Sequence, residues 1–309
     1  MSWVRIPSLT PLVGGLSPPT FVIASEAAVG HALMPRLTEL LGRWRDDLAA
    51  WAIPEHISSA VTESPWVLPR QVFARRADRL RRDPAGPSYE RAREALEPEG
   101  SLIDVGAGAG AACLPLAPQV ASLTAVDTDA QMLTLLAERA EPLGVASQVI
   151  CGPWPAVAAQ IGPADLVTCH HVTYNVPDIE PFIAALTSHA RRRVVVEMSA
   201  VHPLSALSPL WLRFHGITRP QAPTAMDLLA ILSEMGLQAR HTGWNRPVER
   251  DYASESELVE VTRRRLCLPP ERASEVQAAL RDLGTQPGCP ADLGSSGRDV
   301  VTMWWEGSA

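Results

Sequence analysis

The feature that most constrains this chain is a short apolar run that ends in alternating glycines and alanines, "LIDVGAGAGAACLPLA", residues 102–117. Gly106, Gly108 and Gly110 allow tight turns and close approach of a ligand to the backbone, because glycine has no Cβ. A strand that ends in such a loop and leads into a helix presents free backbone N–H groups, which is typical of anion and nucleotide cradles. The stretch therefore predicts a nucleotide-binding turn after the first strand of an α/β fold.

Strand and helix patterns alternate over residues 101–200, and this alternation predicts βαβ units around a parallel sheet. The five predicted strands are SLIDVG, SLTAVD, VASQVICG, ADLVTCHH and RRRVVVEMS. AACLPLAPQ is expected to continue from the glycine loop as a helix. Residues 203–223 contain four prolines and are expected to be irregular. Beyond them the sequence predicts a helix at AMDLLAILSEMGL, a strand at QARHTGW and a final strand at RDVVTMWWEG.

The chain is expected to divide into three parts. Residues 1–24, rich in proline and glycine, predict a flexible arm. Residues 25–98 predict a helical region whose first apolar stripe contains Pro35, so that helix should be kinked or divided there. This region is either a cap packed on the next domain or a lid over an active site. Residues 99–309 form the predicted α/β domain, with a helical insertion at 254–283.

Composition excludes several kinds of chemistry. All 27 basic residues are arginine, so a lysine Schiff base, a Walker-type phosphate lysine and a lysine general base are impossible. The formal net charge of −7 argues against a broad nucleic-acid footprint. The five cysteines form no CxxC pair, which favours a reducing cytoplasm. With no signal peptide and no apolar run of about 18 residues, no membrane partner is predicted.

The glycine loop alone does not identify its nucleotide. Gly106-x-Gly108-x-x-Ala111 fits the dinucleotide fingerprint, and Asp127 at the end of the second strand fits the acid that binds a ribose. A nicotinamide cofactor and another adenosine cofactor are both compatible with this pattern. Asp104 favours the second, because a carboxylate so close to the first glycine would repel a diphosphate and attract a ligand with ammonium and sulfonium groups.

The motif acid-x-Gly-x-Gly-x-Gly, present here as DVGAGAG, makes the chain resemble the class I S-adenosylmethionine-dependent methyltransferases. The resemblance runs from about Ser101 to Glu197 and more loosely to Trp305. It implies a Rossmann-like sheet of seven mostly parallel strands, whose last strand, from Val300 to Trp305, is antiparallel. It also implies S-adenosyl-L-methionine as the cofactor.

The resemblance further implies where the cofactor binds. The loop residues predicted to surround its methionine part are Asp104, Gly106, Ala107, Gly108 and Gly110. Asp127 would accept both ribose hydroxyls, and Thr128 and Met132 would flank the adenine. The family often has an acid after the third strand, whereas this chain has CGPWPA. Backbone groups of Gly152 or Trp154 are predicted to replace that acid, although Trp154 also fits a buried core aromatic.

The fourth predicted strand brings polar side chains to the edge of the sheet where ligands of such folds bind. His171 and His170 are the predicted general bases, because an oxygen acceptor must lose a proton and histidine titrates near neutral pH. One of them could instead cap the strand or contact the cofactor. His202 and His215, after the fifth strand, are further candidates for an acceptor pocket. No HExxH pattern accompanies these histidines, so no metal site is predicted.

The sequence therefore predicts a methyltransferase that acts on a small molecule. The absence of an Asn-Pro-Pro-aromatic motif favours a hydroxyl or carboxylate acceptor, and Arg76 could bind an anionic substrate or the cofactor carboxylate. Three alternatives remain open: a nicotinamide-dependent oxidoreductase, an RNA methyltransferase that uses the arginine-rich runs, and a protein that binds the cofactor without turnover. The oligomeric state is not predicted.

Overall fold

The computed structural model describes residues 34–66, 68–247, 252–284 and 299–309. The predicted arm at 1–24 lies outside these ranges. So do Val29 and Leu33 at the start of the N-terminal apolar stripe, and residues 285–297 of the predicted turn-rich loop.

The described residues form one seven-stranded sheet. Its strands are β1 (Gly100–Val105), β2 (Val120–Asp127), β3 (Ala146–Cys151), β4 (Ala164–His170), β5 (Ala190–Ser199), β6 (Arg240–Asn245) and β7 (Asp299–Glu306). Their order across the sheet is β3-β2-β1-β4-β5-β7-β6. β1 to β5 pair in parallel, whereas β7 runs antiparallel to both of its neighbours. The predicted Rossmann-like α/β sheet with an antiparallel last strand is therefore confirmed.

The helices lie on both faces of the sheet and beyond its edge. The α-helices of the described ranges are α1 (Met34–Ala49), α2 (Glu55–Ser58), α3 (Arg70–Arg82), α4 (Pro87–Leu96), α5 (Ala130–Ala140), α6 (Ile179–Ser188), α7 (Ser208–His215), α8 (Ala225–Glu234), α9 (Glu255–Arg265) and α10 (Ala273–Asp282). Local sequence explains where several begin. Asp129 caps α5 by accepting two backbone N–H groups, and Thr224 and Asp227 form a capping box at α8.

Two segments differ from the sequence prediction. The chain after the glycine loop forms turns and a 3₁₀ helix at Leu114–Gln119 rather than an α-helix, and Pro118 inside this segment lacks the N–H that an α-helical turn would need. Residues 203–223 are not wholly irregular, because they contain a 3₁₀ helix at Pro203–Leu207 followed by α7. Pro203 and Pro209 lie in the first turns of these helices, where a missing N–H costs nothing.

The N-terminal helix α1 is part of the main core. Leu40, Leu41, Trp44 and Leu48 on α1 are buried with one face of the sheet, together with α6 and α8. α4 and α5 pack on the opposite face. Burial on both faces explains why the central strands are almost continuous apolar runs.

A second apolar cluster, the helical layer, joins three separated parts of the chain. It is built from α2 and the start of α3, from α7 with the 3₁₀ turn before it, and from α9 and α10. The guanidinium of Arg219 lies 5.2 Å from the Trp51 ring and 4.8 Å from the Trp211 ring, and it also donates to the Trp51 and Ala52 carbonyls. This stacking ties the end of α1 to α7. The division of the chain into cap or lid and catalytic domain stays a prediction.

Candidate functional site

Two depressions meet at the carboxyl ends of the parallel strands, and Gly106 lines both of them. The first, here called the groove, has a volume of about 380 Å³. It lies beyond β2, β3 and the loop after β4. The second, here called the inner cavity, has a volume of about 60 Å³ and lies between the glycine loop, β4, β5 and α3. Ligands of open α/β sheets bind at this edge.

Contacts within the protein fix the conformation of the glycine loop. Gly106 has a φ of 72° and Gly108 a φ of 53°, in the left-handed region that favours glycine. The N–H groups of Gly106 and Ala107 both donate to the Val126 carbonyl, at 2.8 and 3.0 Å, which ties the loop to β2. A Cβ at residue 106 would overlap the side chain of Val172. Glycine is therefore required at position 106 for packing within the protein itself.

Asp127 ends β2 and lines the groove with its carboxylate already oriented. Its Oδ2 accepts the Gly108 N–H at 2.8 Å, and its Oδ1 accepts the Asp129 N–H at 2.9 Å. Each oxygen retains a second lone pair, so the carboxylate can still accept hydroxyl donors from a ligand. This geometry suits the predicted ribose contact.

Asp104 is completely buried below the glycine loop. Its Oδ1 accepts the Thr168 hydroxyl at 2.8 Å, and the buried Cys113 thiol also donates to this carboxyl. Burial raises the pKa of this carboxyl, against the opposing effects of His170, Thr168 and the Cys113 thiol. Asp104 lines neither depression, so it lies behind the loop rather than in the wall of the site.

The predicted adenine contacts are only partly brought together. Thr128, Gly152 and Trp154 line the groove, but Met132 is buried beside the loop and does not line it. Trp154 is both a wall of the groove and a core residue, since its indole N–H donates to the Phe182 carbonyl at 3.3 Å.

The groove also contains a carboxylate that the sequence reasoning did not select. Asp178, in the loop after β4, lines the groove and pairs with Arg45 of α1 at 3.1 Å. The acid that such folds often have follows β3, whereas Asp178 follows β4.

His171 directly follows β4 in a strained backbone conformation. Its φ is 59°, in the left-handed region that residues other than glycine adopt uncommonly. Its N–H donates to the Glu197 carbonyl at 2.7 Å, and its Nε2 lies 3.1 Å from Glu197 Oε1. Burial lowers the pKa of His171 to about 4, although Glu197 acts to raise it. The imidazole is therefore neutral at physiological pH.

Glu197 on β5 is the main functional candidate that the sequence reasoning missed. Its Oε2 accepts the hydroxyl of Ser88, which in turn lies 2.6 Å from the Thr302 hydroxyl. Burial alone would raise the pKa of Glu197, but its electrostatic interaction with His170 and the hydrogen bonds from His171 and Ser88 lower it to about 2. A lone glutamate in the buried apolar strand VVVEMS was the available signal.

His170, the last residue of β4, also lines the inner cavity. Its ring meets the Tyr89 ring edge-on at a centroid distance of 6.0 Å. Its Nε2 is buried without a hydrogen-bond partner among the described residues. The structure therefore places both predicted base candidates at the same cavity.

The other two candidate histidines lie elsewhere and line neither depression. His202 stacks on Trp51 with ring centroids 3.8 Å apart, and its Nδ1 accepts the Leu204 N–H. His215 contacts the Leu266 carbonyl through Nε2 at 2.6 Å. Both have structural partners inside the helical layer.

The remaining wall of the inner cavity is aromatic and cationic. Phe73 and Arg76 come from α3, while Trp244 and Arg246 come from the end of β6 and the residue after it. Both arginines are buried. Of these four residues the sequence reasoning selected only Arg76.

Two further properties concern the described ranges as a whole. Within them, no group of three or more His, Cys, Asp or Glu side chains is arranged to bind a metal ion. None of the helices in these ranges combines the length and the apolar character that crossing a bilayer demands.

Comparison with known proteins gives one family match, within the α/β part of the chain. Residues 102–193 match the family described as "Methyltransferase domain". No curated protein matches the chain.

Several solved structures resemble the chain at low identity. Magnesium protoporphyrin IX methyltransferase (ChlM) from Synechocystis PCC 6803, with bound SAH, is 16% identical over 77% of this chain and 84% of that chain, with a TM-score of 0.46. A putative methyltransferase from Bacillus halodurans C-125 is 16% identical over 72% and 97%, with a TM-score of 0.44. The plantazolicin methyltransferase BamL, in complex with a triazolic desmethylPZN analog and SAH, is 12% identical over 90% and 100%, with a TM-score of 0.41.

Proposed function

We propose that this chain, which belongs to the class I S-adenosylmethionine-dependent methyltransferases through its methyltransferase domain at residues 102–193, methylates an oxygen atom of a small-molecule acceptor. The observation that carries the proposal is the contact of two depressions across Gly106. The groove contains the oriented carboxylate of Asp127, and the inner cavity contains the paired side chains of His171 and Glu197.

The groove is the proposed site of the adenosine part of the cofactor. Asp127 would accept the ribose hydroxyls in charge-assisted hydrogen bonds, and Thr128, Gly152 and Trp154 would surround the base. The glycine loop would lie along the methionine part. The buried carboxyl of Asp104 beneath the loop supports this orientation, because the cofactor carries its positive charges at that end.

When bound, S-adenosyl-L-methionine supplies an electrophilic methyl group on a sulfonium centre. A hydroxyl acceptor must then lose its proton as its oxygen attacks, and a neutral imidazole within the cavity can take that proton. His171 is the first candidate for this base and His170 the second. The residues around them contribute by orienting the acceptor, which can supply about 7–11 kcal/mol of barrier reduction.

The inner cavity would have to widen to hold an acceptor. Its volume of about 60 Å³ is far below the roughly 300–1,000 Å³ of small-molecule pockets. We therefore expect α3 to move outwards when the acceptor enters and to return over it. This is the lid role predicted for the N-terminal helical region, and closure would exclude water from the reacting atoms.

Calorimetry tests the cofactor assignment first. Purified protein is titrated with S-adenosylmethionine, S-adenosylhomocysteine and NADH, and Asp127→Ala is titrated in parallel. We expect micromolar binding of the first two ligands and its loss in the variant. Binding of NADH alone would overturn the proposal in favour of an oxidoreductase.

An acceptor screen then tests the reaction. Release of S-adenosylhomocysteine is measured with panels of small phenols, alcohols, carboxylic acids, amines and a mixed RNA. Turnover confined to the hydroxyl or carboxyl panels is expected. For hydroxyl acceptors, which must lose a proton, His171→Asn should reduce kcat more than His170→Asn does. Turnover of the amines or of RNA alone would contradict oxygen methylation, and cofactor binding without any turnover would favour a non-catalytic binding protein.

A further inference from the structure

We propose that Glu197 is a positioning residue that fixes the proton of His171 on Nε2, so that Nδ1 carries the lone pair that accepts the proton of the methyl acceptor. The proposal rests on the proposed function, because it assigns a tautomer to the histidine that acts as the base in that reaction. Glu197 itself is not predicted to touch the acceptor.

The backbone supports the first step. His171 is held by Glu197 through two contacts, its own N–H on the Glu197 carbonyl and its Nε2 on the Glu197 carboxylate. A positive φ at a histidine costs free energy and persists only where the surroundings determine the conformation. This double attachment orients the imidazole relative to β5.

The hydrogen-bond roles then fix the tautomer. A carboxylate can only accept hydrogen bonds, and Glu197 is ionised in its surroundings because its pKa is lowered to about 2. Nε2 of His171 must therefore be the donor in the 3.1 Å contact with Oε1. In a neutral imidazole the other nitrogen then has a free lone pair. That atom, Nδ1, is buried and has no hydrogen-bond partner within the part of the chain that the structure describes.

The same reasoning fixes the direction of a hydroxyl chain behind the carboxylate. Ser88 donates its hydroxyl proton to Glu197 Oε2, so it can only accept in its 2.6 Å contact with Thr302. The Thr302 hydroxyl must then be the donor in that contact. Both oxygens of Glu197 are thereby occupied by donors, and the carboxylate has a defined position in the buried site.

The charges around His171 keep it neutral before the reaction. Glu197 on β5 favours protonation, whereas Arg76 on α3 and Arg246 after β6 oppose it, and burial opposes it most. His170, the preceding residue on β4, acts on the same carboxylate. A neutral imidazole with one oriented lone pair can accept a proton without first losing one.

Nitrogen-15 NMR of the histidine side chains tests the tautomer without any acceptor. The protein is labelled at histidine, and the His171 signals are assigned by their loss in His171→Asn. We expect the wild-type protein at pH 7 to have His171 predominantly in the Nε2–H form. A predominant Nδ1–H form, or a doubly protonated ring, would overturn the proposal.

Three variants separate positioning from simple burial. Glu197→Gln keeps the shape but can donate to Nε2, so the population of the Nδ1–H form should rise several-fold. Ser88→Ala removes one donor to the carboxylate and should give a smaller rise. Thr302→Val is the matched control. It removes a buried hydroxyl that contacts Ser88 rather than Glu197, and it should leave the tautomer of His171 unchanged. Equal spectra for Glu197→Gln and Thr302→Val would refute the assignment. If Glu197→Gln fails to fold, the comparison of Ser88→Ala with Thr302→Val replaces it.

Cofactor binding and turnover distinguish this proposal from the proposed function. Glu197 does not line the groove, so Glu197→Gln should bind S-adenosylhomocysteine within about twofold of the wild type while its kcat falls about 100-fold or more. A wild-type protein that does not bind the cofactor would refute the proposed function, whereas the NMR result would still decide the tautomer. A variant with the altered tautomer and unchanged kcat would refute the catalytic role of Nδ1.

Discussion

The backbone N–H of Gly108 donates to Asp127 Oδ2 over 2.8 Å, and this buried bond ties the glycine loop after β1 to the end of β2. The second oxygen of the same carboxylate accepts the Asp129 N–H. Both oxygens of Asp127 are thus acceptors for backbone donors before any ligand arrives. The carboxylate proposed to bind the ribose is consequently also a structural part of the loop.

Asp127→Asn should therefore reduce both stability and cofactor affinity. Whichever way the amide turns, its NH₂ group faces a backbone N–H, so one buried donor loses its acceptor. We expect the free energy of unfolding to fall by about 1–3 kcal/mol in urea titrations, with at least tenfold weaker S-adenosylhomocysteine binding by calorimetry.

Asp129→Asn provides the matched control. Asp129 caps α5 and pairs with Arg70 at 2.9 Å, but it does not line the groove. This variant should lose stability while its affinity for S-adenosylhomocysteine stays within about twofold of the wild type. Equal losses of affinity in both variants would contradict a specific role for Asp127.

Alanine at Gly106 should be far more damaging than alanine at Gly108. Both residues have positive φ, but only a Cβ at Gly106 would overlap Val172, whereas one at Gly108 would lie 3.4 Å from Met132. The left-handed conformation costs each variant about 1–2 kcal/mol, and overpacking should cost Gly106→Ala about 1–3 kcal/mol more. Urea unfolding of both variants measures the difference, and comparable losses would refute the steric explanation.

These glycines also indicate what the sequence could predict. The order of strands and helices followed from alternating apolar patterns, and DVGAGAG with Asp127 predicted the cofactor edge of the sheet. The segment expected to be an α-helix after the loop ends in a 3₁₀ helix, because Pro118 lacks the N–H that an α-helical turn would need.

Glu197 shows why the rest of the candidate site was out of reach. Its contact with Ser88, and the contact of Ser88 with Thr302, join residues 109 and 214 positions apart along the chain. A single sequence indicates a buried charge in β5, but not which distant hydroxyls face it. Likewise, His202 and His215 follow β5 as an acceptor-pocket residue would, yet tertiary packing places them in the helical layer.

Acid should destabilise the protein in two overlapping pH ranges. The pKa of His171 falls from 6.5 to about 4 on folding, so the unfolded chain binds more protons between these values and stability decreases as pH drops from 6.5 to 4. The pKa of Glu197 falls from 4.5 to about 2, so its contribution is present above pH 4.5 and is lost as pH drops towards 2. Burial of His202, whose pKa is lowered to about 3, acts in the same direction as His171.

Urea titrations of the wild type and His171→Asn between pH 7 and 4 measure the first range. Between pH 7 and 4 we expect protonation linked to His171 to lower the free energy of unfolding of the wild type by up to about 3 kcal/mol. The free energy of unfolding of the variant should therefore depend less steeply on pH. Substitution of His241, which is exposed on β6, is the control and should leave the slope unchanged. A His171→Asn slope identical to that of the wild type would show that this histidine is not buried in its neutral form.

Trp44 of α1 should link the N-terminal helix to cofactor binding. Its indole N–H donates to the Val176 carbonyl at 2.8 Å, and Val176 lines the groove. Trp44→Phe keeps most of the buried ring but leaves that carbonyl without its donor, which should lower the free energy of unfolding by about 1–3 kcal/mol. Because the groove wall then loses its attachment to α1, S-adenosylhomocysteine should bind several-fold more weakly by calorimetry. Trp304→Phe, on β7 and outside the groove, should leave that affinity unchanged. If Trp44→Phe bound the ligand as tightly as Trp304→Phe, α1 would support the fold without supporting the cofactor site.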